Sequence, residues 1–253
     1  CNRHIKFGAL LSFARGQGGA LATGHYARME RDGGSGKFLL KKAVDLTKDQ
    51  SYMLYVLPRE ALSEILFPLG GLTKAEVREI ARINGFDNAD KKESQDICFI
   101  PDGNHAAFIE RYTGRFCAPG DFVDTQGNIL GRHGGITRYT VGQRKGLGIA
   151  LQKPVFVREK DAKTNRVVLC ESGELFSKSL EAGDFNWLVP ETPASFRASA
   201  RVRYHQAERP CAVTVVSKDT VRIDFDEPQR AIAMGQAVVL YDGDAVLGGG
   251  TIK

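Results

Sequence analysis

Apolar residues recur with one period up to about residue 115 and with another beyond it. In the first part the spacing is mostly helical. The run Ile5 to Ala14 has helical spacing and stops at Gly16. Ala20 to Gly24 is a short buried-strand pattern ending at Gly24-His25-Tyr26, and the polar Arg31 to Gly36 stretch predicts a turn or flexible loop. Thr73-Lys74-Ala75-Glu76 is a capping box: a Thr hydroxyl can take the N3 amide while Glu76 reaches back to the N-cap amide. Ala75, Val77, Ile80, Ala81 and Ile83 then supply the apolar positions, and Gly85 a stop. Asn104 is a candidate cap for a second short helix through Ala107, Phe108, Ile109 and Tyr112.

Beyond residue 115 the pattern becomes one of short strands between Gly and Asp turns. Val123 to Leu130 predicts a hairpin. Strands are expected at Pro154–Arg158, Arg166–Cys170, Phe196–Tyr204, Ala212–Val216, Val221–Phe225, Ala237–Tyr241 and Ala245–Gly249. This points to an α/β part followed by a small central β-rich domain and a C-terminal antiparallel β-barrel. With 253 residues and 42% apolar content the chain can bury two or three cores, and its longest apolar runs are far too short to span a membrane. The chain opens on Cys1 rather than Met, and is read as the C-terminal part of a longer protein.

Charge adds a direction. Lys+Arg against Asp+Glu stands at 15 to 13 over residues 1–102, 12 to 7 over 103–178, and 8 to 10 over 179–253. No acid occurs from Thr125 to Arg158, while Arg132, Arg138, Arg144, Lys145, Lys153 and Arg158 do. That stretch either faces a polyanion or is a solvated loop neutralised by acids elsewhere. Within it, Gly131-Arg132-His133-Gly134-Gly135 and Tyr139 to Gly148 mix glycines that admit a ligand with cations that neutralise phosphate. Their spacing does not match a triphosphate-binding loop.

Two further strings suit an anionic polymer. Lys48-Asp49-Gln50-Ser51-Tyr52 precedes the apolar run Met53 to Leu57, so it is either a phosphate-receiving helix start or an ordinary one capped by Asp49. Arg201-Val202-Arg203-Tyr204-His205-Gln206 alternates as a strand with one wet face, offering either phosphate contacts and a stacking ring or a salt-bridged barrel face.

The five cysteines, Cys1, Cys98, Cys117, Cys170 and Cys211, are odd in number, scattered, and include no C-x-x-C pair. That argues against a disulfide scaffold and against a structural metal site, and for a reducing, cytoplasmic setting. Cys170 and Cys211 read as small buried apolar residues. Cys1 lies beside Arg3, His4 and Lys6, which favour a thiolate. Around Cys98, Lys91 and Lys92 are offset by the closer Glu93 and Asp96.

Taken together these strings resemble the tRNA-specific 2-thiouridylase family. The matching pieces begin with Cys1 to Phe7, Ala22 to Tyr26, Lys48 to Tyr52, Phe67 to Gly70 and Ser94 to Ile100. They continue through Thr140 to Gly148, Ala200 to Gln206, Pro228 to Ala231 and the tail from Gly235 to Gly250. The resemblance runs along essentially the whole chain and corresponds to the C-terminal two-thirds of the family's length. It implies an ATP-dependent sulfurtransferase that thiolates C2 of the wobble uridine of tRNA. ATP, used with Mg²⁺, adenylates the base, and a persulfide on Cys98 supplies sulfur. Cys1 is the nucleophile that either resolves the persulfide into a Cys1–Cys98 disulfide or frees hydrosulfide.

By the same resemblance Gly24 lies against ATP, and His25, Lys48, Asp49, Gln50, Arg203, Tyr204 and Gln236 contact tRNA. A sulfur-relay protein or cysteine desulfurase delivers the sulfur. Residues 1–102 then form the second half of an adenine-nucleotide α-hydrolase-like (PP-loop ATPase) catalytic domain, 103–178 a central tRNA-binding domain, and 179–253 the barrel. The family's Ser-Gly-Gly-x-Asp-Ser loop, and the Asp before its first cysteine, do not occur here. These residues alone are therefore expected not to adenylate RNA. The competing expectation is a non-catalytic RNA-binding protein whose cysteines are structural.

Overall fold

A π-helical segment over Asn2–Leu10 runs directly into helix α1 (Leu11–Gly16), and Phe7 and Leu11, one turn apart, are the buried residues of this element. The computed structural model describes residues 1–90, 100 and 103–253. Strand β1 (Leu21–Ala22) follows, then the hairpin β2 (Ala27–Arg31) and β3 (Phe38–Lys42), with Ala27 opposite Lys42. The expected turn at 31–36 joins them: Asp32 accepts from the Ser35 amide, and Gly36 takes a positive φ of 67°. Strand β4 (Ile65–Leu66) pairs with β1 in parallel. Helix α2 (Lys74–Ile83) starts with the complete Thr73–Glu76 box. Gly70 lies so close to β2 that a Cβ there would stand 1.6 Å from the Ala27 oxygen.

One expectation fails here. Met53 to Leu57 does not form a helix; only a single 3-10 turn, Ser51–Leu54, is present, with Gln50 at its N-cap position and Asp49 accepting from the Ser51 amide from one residue further back. Pro58 closes the run too soon for helical propagation, and Leu54 and Leu57 enter the core from a turn instead.

In the central part, helix α3 (His105–Thr113) is capped by Asn104, whose side chain accepts from the Ala107 amide, and ends at Gly114 with positive φ. Strands β5 (Gly120–Val123) and β6 (Ile129–His133) form the expected hairpin, its turn held by Asp124. With β7 (Phe156–Asp161) and β8 (Arg166–Cys170) they make a four-stranded sheet in the order β6-β5-β8-β7, β5 and β8 being parallel. Phe122, Tyr139, Leu147, Val157, Val167 and Leu169 form its core.

The remaining strands are β9 (Phe176–Trp187), β10 (Ser195–Arg201), β11 (Arg209–Ser217), β12 (Thr220–Arg230), β13 (Ala237–Asp242) and β14 (Ala245–Ile252). They run in the order β13-β10-β11-β12-β9-β14, and β13 also pairs with β14, so the antiparallel sheet closes into a barrel. The start of β14 additionally pairs with β3, which carries the β2–β3 hairpin. β10 stops at Arg201, so Arg203 and Tyr204 sit on a turn rather than on the expected strand; Gln206 N donates to Arg203 O across it.

The chain divides into two compact units: residues 1–91 with 179–227 and 234–253, and residues 92–178 with 228–233. In the first unit a single core joins Phe7, Leu11, Leu54 and Ile65 to the barrel residues Leu188, Val239, Tyr241 and Val246. Among the described residues no helix is long and apolar enough to cross a membrane.

Candidate functional site

The segment beginning at Cys1 turns its buried face toward the loop after β1. Cys1 itself is exposed, and its carbonyl accepts from the amides of Ile5 and Lys6. The ring of Phe7 lies 5.8 Å from that of His25, which lies 6.0 Å from Phe67, and the two phenyl rings pack edge to face on each other at 6.3 Å. Thr23 Oγ1 is 2.8 Å from His25 Nδ1. Burial, and then the charge of Lys6, lower the His25 pKa to about 4, so the imidazole is neutral at physiological pH. It can exchange hydrogen bonds with a base edge but carries no charge for a phosphate.

Gly24, one residue earlier, is exposed. A Cβ there would meet only Leu69 Cδ1, at an ordinary 3.6 Å. Among the described residues nothing demands a glycine at this position. Gly24 stands at the carboxyl edge of the β1–β4 parallel pair, where a residue without a Cβ leaves the backbone open to close approach.

The same loop is laced to residues 48–50. Tyr26 N donates to Gln50 Oε1 at 3.0 Å, and Gln50 N donates to Tyr26 O at 2.8 Å. Asp49 is buried. Its Oδ1 accepts from the Ala43 and Ser51 amides, and its Oδ2 accepts from Ser51 Oγ at 2.8 Å and faces Arg201 Nη1 at 3.5 Å. Arg201 Nη2 reaches Glu208 at 3.1 Å, and the same Glu208 oxygen takes Lys42 Nζ at 2.6 Å. Both cations lie against the Tyr241 ring, 4.7 Å for Lys42 and 5.3 Å for Arg201. Burial pushes the Tyr241 hydroxyl above its ordinary range.

From this cluster the chain leads outward. Tyr204 lies 6.1 Å from Tyr52, ring to ring, and Tyr52 donates through its hydroxyl to Ala237 O at 2.8 Å, next to the exposed Gln236. One compact unit therefore holds Cys1, Gly24, His25, Lys48, Asp49, Gln50, Arg203, Tyr204 and Gln236. Within it, Asp49 faces inward and Lys48 is half-buried. Lys42, Ser51, Glu208 and Tyr241 complete the network, and Lys42 and Glu208 carry no signal in the sequence. Asp49 and Arg201 are 152 positions apart, so no local pattern links them. Cys98 lies outside the described residues.

Two of the other thiols are unsuited to nucleophilic work. Cys170 and Cys211 are buried as expected, and burial raises both, Cys211 to about 12.

In the central unit the acid-free stretch is neutralised in part by acids from elsewhere in the chain. Arg132, Lys153 and Arg158 pair with Asp121, Glu171 and Glu174, acids from outside the stretch. Arg138, Arg144 and Lys145 are exposed and form no ion pair among the described residues.

Comparison with known proteins fits this arrangement. Residues 1–102 match the model described as the tRNA methyl transferase HUP domain, 106–171 the tRNA methyl transferase PRC-barrel domain, and 177–252 the aminomethyltransferase beta-barrel domain. The chain is 49% identical over 255 residues to the tRNA-specific 2-thiouridylase MnmA of Carboxydothermus hydrogenoformans, covering 100% of this chain and 70% of that protein. The proteins of the same name from Lachnoclostridium phytofermentans and Acetivibrio thermocellus are 49% and 47% identical, each again across 100% of this chain and 71% of the relative.

Proposed function

This chain belongs to the tRNA-specific 2-thiouridylase family, and from that premise we propose that it is a sulfurtransferase that thiolates C2 of the wobble uridine of tRNA. In this reading residues 1–102 are the second half of the ATP-using catalytic domain, and Gly24 is the residue that would lie against ATP. ATP, when bound, supplies the adenylyl group that turns the uridine O2 into a leaving group. The family models carry methyl transfer in their descriptions, but an exposed cysteine heading the site suits sulfur chemistry.

The chain's own residues have separate tasks. Cys98 carries the donated sulfur as a persulfide, whose terminal sulfur bonds to C2 as the C2–O2 bond breaks. The Cys1 thiolate attacks the Cys98 sulfur, and a Cys1–Cys98 disulfide remains for an external thiol to reduce. In the alternative order Cys1 attacks first and frees hydrosulfide, which then bonds to C2. His25, neutral and packed against the paired Phe7 and Phe67 rings, meets a base rather than a phosphate. Lys48, Gln50, Arg203, Tyr204 and Gln236 hold the tRNA, and Asp49 orders the loop that presents them.

The observation that carries the reading is the convergence, in one unit, of the Cys1 helix, the Gly24–His25 loop, residues 48–50 and the 203–204 turn. The test is mass spectrometry of the full-length protein after incubation with a cysteine desulfurase and cysteine. One added sulfur at Cys98 is expected, together with loss of 2-thiouridine in Cys98→Ser and Cys1→Ser. Intact thiolation in Cys98→Ser would remove the proposed role.

A further inference from the structure

We propose that the exposed aromatic face of α3 and the residues just after it is a stacking platform for an unpaired base of the RNA. It rests on the reading of this chain as a tRNA-acting enzyme and adds a second contact region to it, in the central unit.

The platform is built from local rules. Asn104 and Gly114 close the two ends of α3, which makes a short helix definite. Phe108 and Tyr112, four positions apart, therefore lie on one face, and their rings stack at 5.9 Å with 9° between the planes. Tyr112 is nonetheless 82% exposed, and Phe116, just beyond the helix, is 84% exposed. Burying rings of this size is worth enough that two of them left in water, beside a third already stacked, mark a surface that a partner covers.

Charge identifies the partner. α3 packs against the turn at 136–138 that carries Arg138. Gly135 backs onto Cys117, the neighbour of Phe116: a Cβ at Gly135 would stand 2.8 Å from the Cys117 oxygen. The rings thus lie beside the 135–138 end of the glycine-rich basic stretch, whose exposed Arg138 has no ion pair among the described residues. Flat apolar faces next to unpaired cations suit a polyanion with flat bases. Cations track the backbone and a ring receives a base, whatever its identity, because every base has a π face.

Tyr112→Ala and Phe116→Ala remove rings that are 82% and 84% exposed, so the thermal midpoint of the Phe116 variant should match the wild type and that of the Tyr112 variant, which gives up the stack on Phe108, should fall only slightly. Binding of tRNA by the full chain, titrated over a range of salt, is expected to weaken about 5- to 150-fold for each base stack removed. The slope of log K against log salt should not change, because every cation that meets a phosphate is still in place. Tyr112→Phe should bind as the wild type does.

Variants that bind tRNA like the wild type overturn the platform, and so does a weaker binding accompanied by a flatter salt slope. Unchanged tRNA binding with impaired sulfur uptake would assign the face to a protein partner and overturn it equally. Wild-type protein that leaves tRNA unbound sinks the parent reading along with the platform; a binding wild type with indifferent variants sinks the platform alone.

Discussion

Around Asp49, two cations and two carboxylates close on one another beside the buried Tyr241 ring, whereas along 138–145 of the central unit three cations stand in water without an ion pair among the described residues. The two regions hold similar residue types and put them to different uses. A buried, mutually neutral cluster contributes little attraction to a distant polyanion; its value is to hold backbone in place, because each charge is costly to leave alone. Exposed unpaired cations order nothing, yet they release counterions when phosphate arrives and so supply affinity. Arg201 and Arg203, two positions apart, stand at the boundary between these uses: Arg201 belongs to the internal cluster, and Arg203 lies on the turn that leaves it.

The sharpest way to break this comparison is to remove one buried partner. Asp49→Ala strands Arg201 with Glu208 alone and leaves the Ala43 and Ser51 donors unpaired. A loss of about 3–5 kcal/mol in unfolding free energy is expected, read as a lower urea midpoint. Unchanged stability would show that the cluster orders nothing.

A smaller effect is expected from acid. The folded-state pKa of His25, about 4, lies below its ordinary 6.5, so between those values the unfolded chain binds the extra proton. The contribution of His25 is therefore complete above about pH 6.5 and falls away as pH drops toward 4, by at most about 3 kcal/mol. Denaturant midpoints measured across this window should slope upward with pH, and less so in His25→Phe. Equal slopes would mean that the ring is not buried in its neutral form.

The smallest change in stability, and the clearest in binding, belongs to the exposed cations. Arg144→Ala with Lys145→Ala should leave the urea midpoint within about 0.5 kcal/mol. The salt slope of tRNA binding should fall by about one for each phosphate no longer neutralised. A slope equal to that of the wild type would take these two residues out of the RNA interface.

Where neighbours in sequence decide the outcome, the elements are legible in advance. The Thr73–Glu76 box, the Asn104 cap, the Asp124 turn and the strand at Arg166–Cys170 appear as expected, because a cap or turn needs only a few consecutive residues. The long strand β9 is not legible. Gly183 and Asp184, the latter at a φ of 50°, interrupt its alternation in the middle, and it is the barrel's hydrogen bonds that hold it extended. The 53–57 segment misleads the other way, since its apolar run carries no sign that packing leaves it as a turn.

The pattern of residues thus determined, unaided, the order of α/β and β parts, the acid-free basic stretch, the inert character of Cys170 and Cys211, and the family. Tertiary structure decided the closure of the barrel and its common core with the first ninety residues. It also decided that Asp49 faces inward and that Phe7 and Phe67 keep His25 neutral. The reason is physical: caps and turns are settled over a few bonds, but burial, pairing and pKa depend on groups that only long-range contacts bring together.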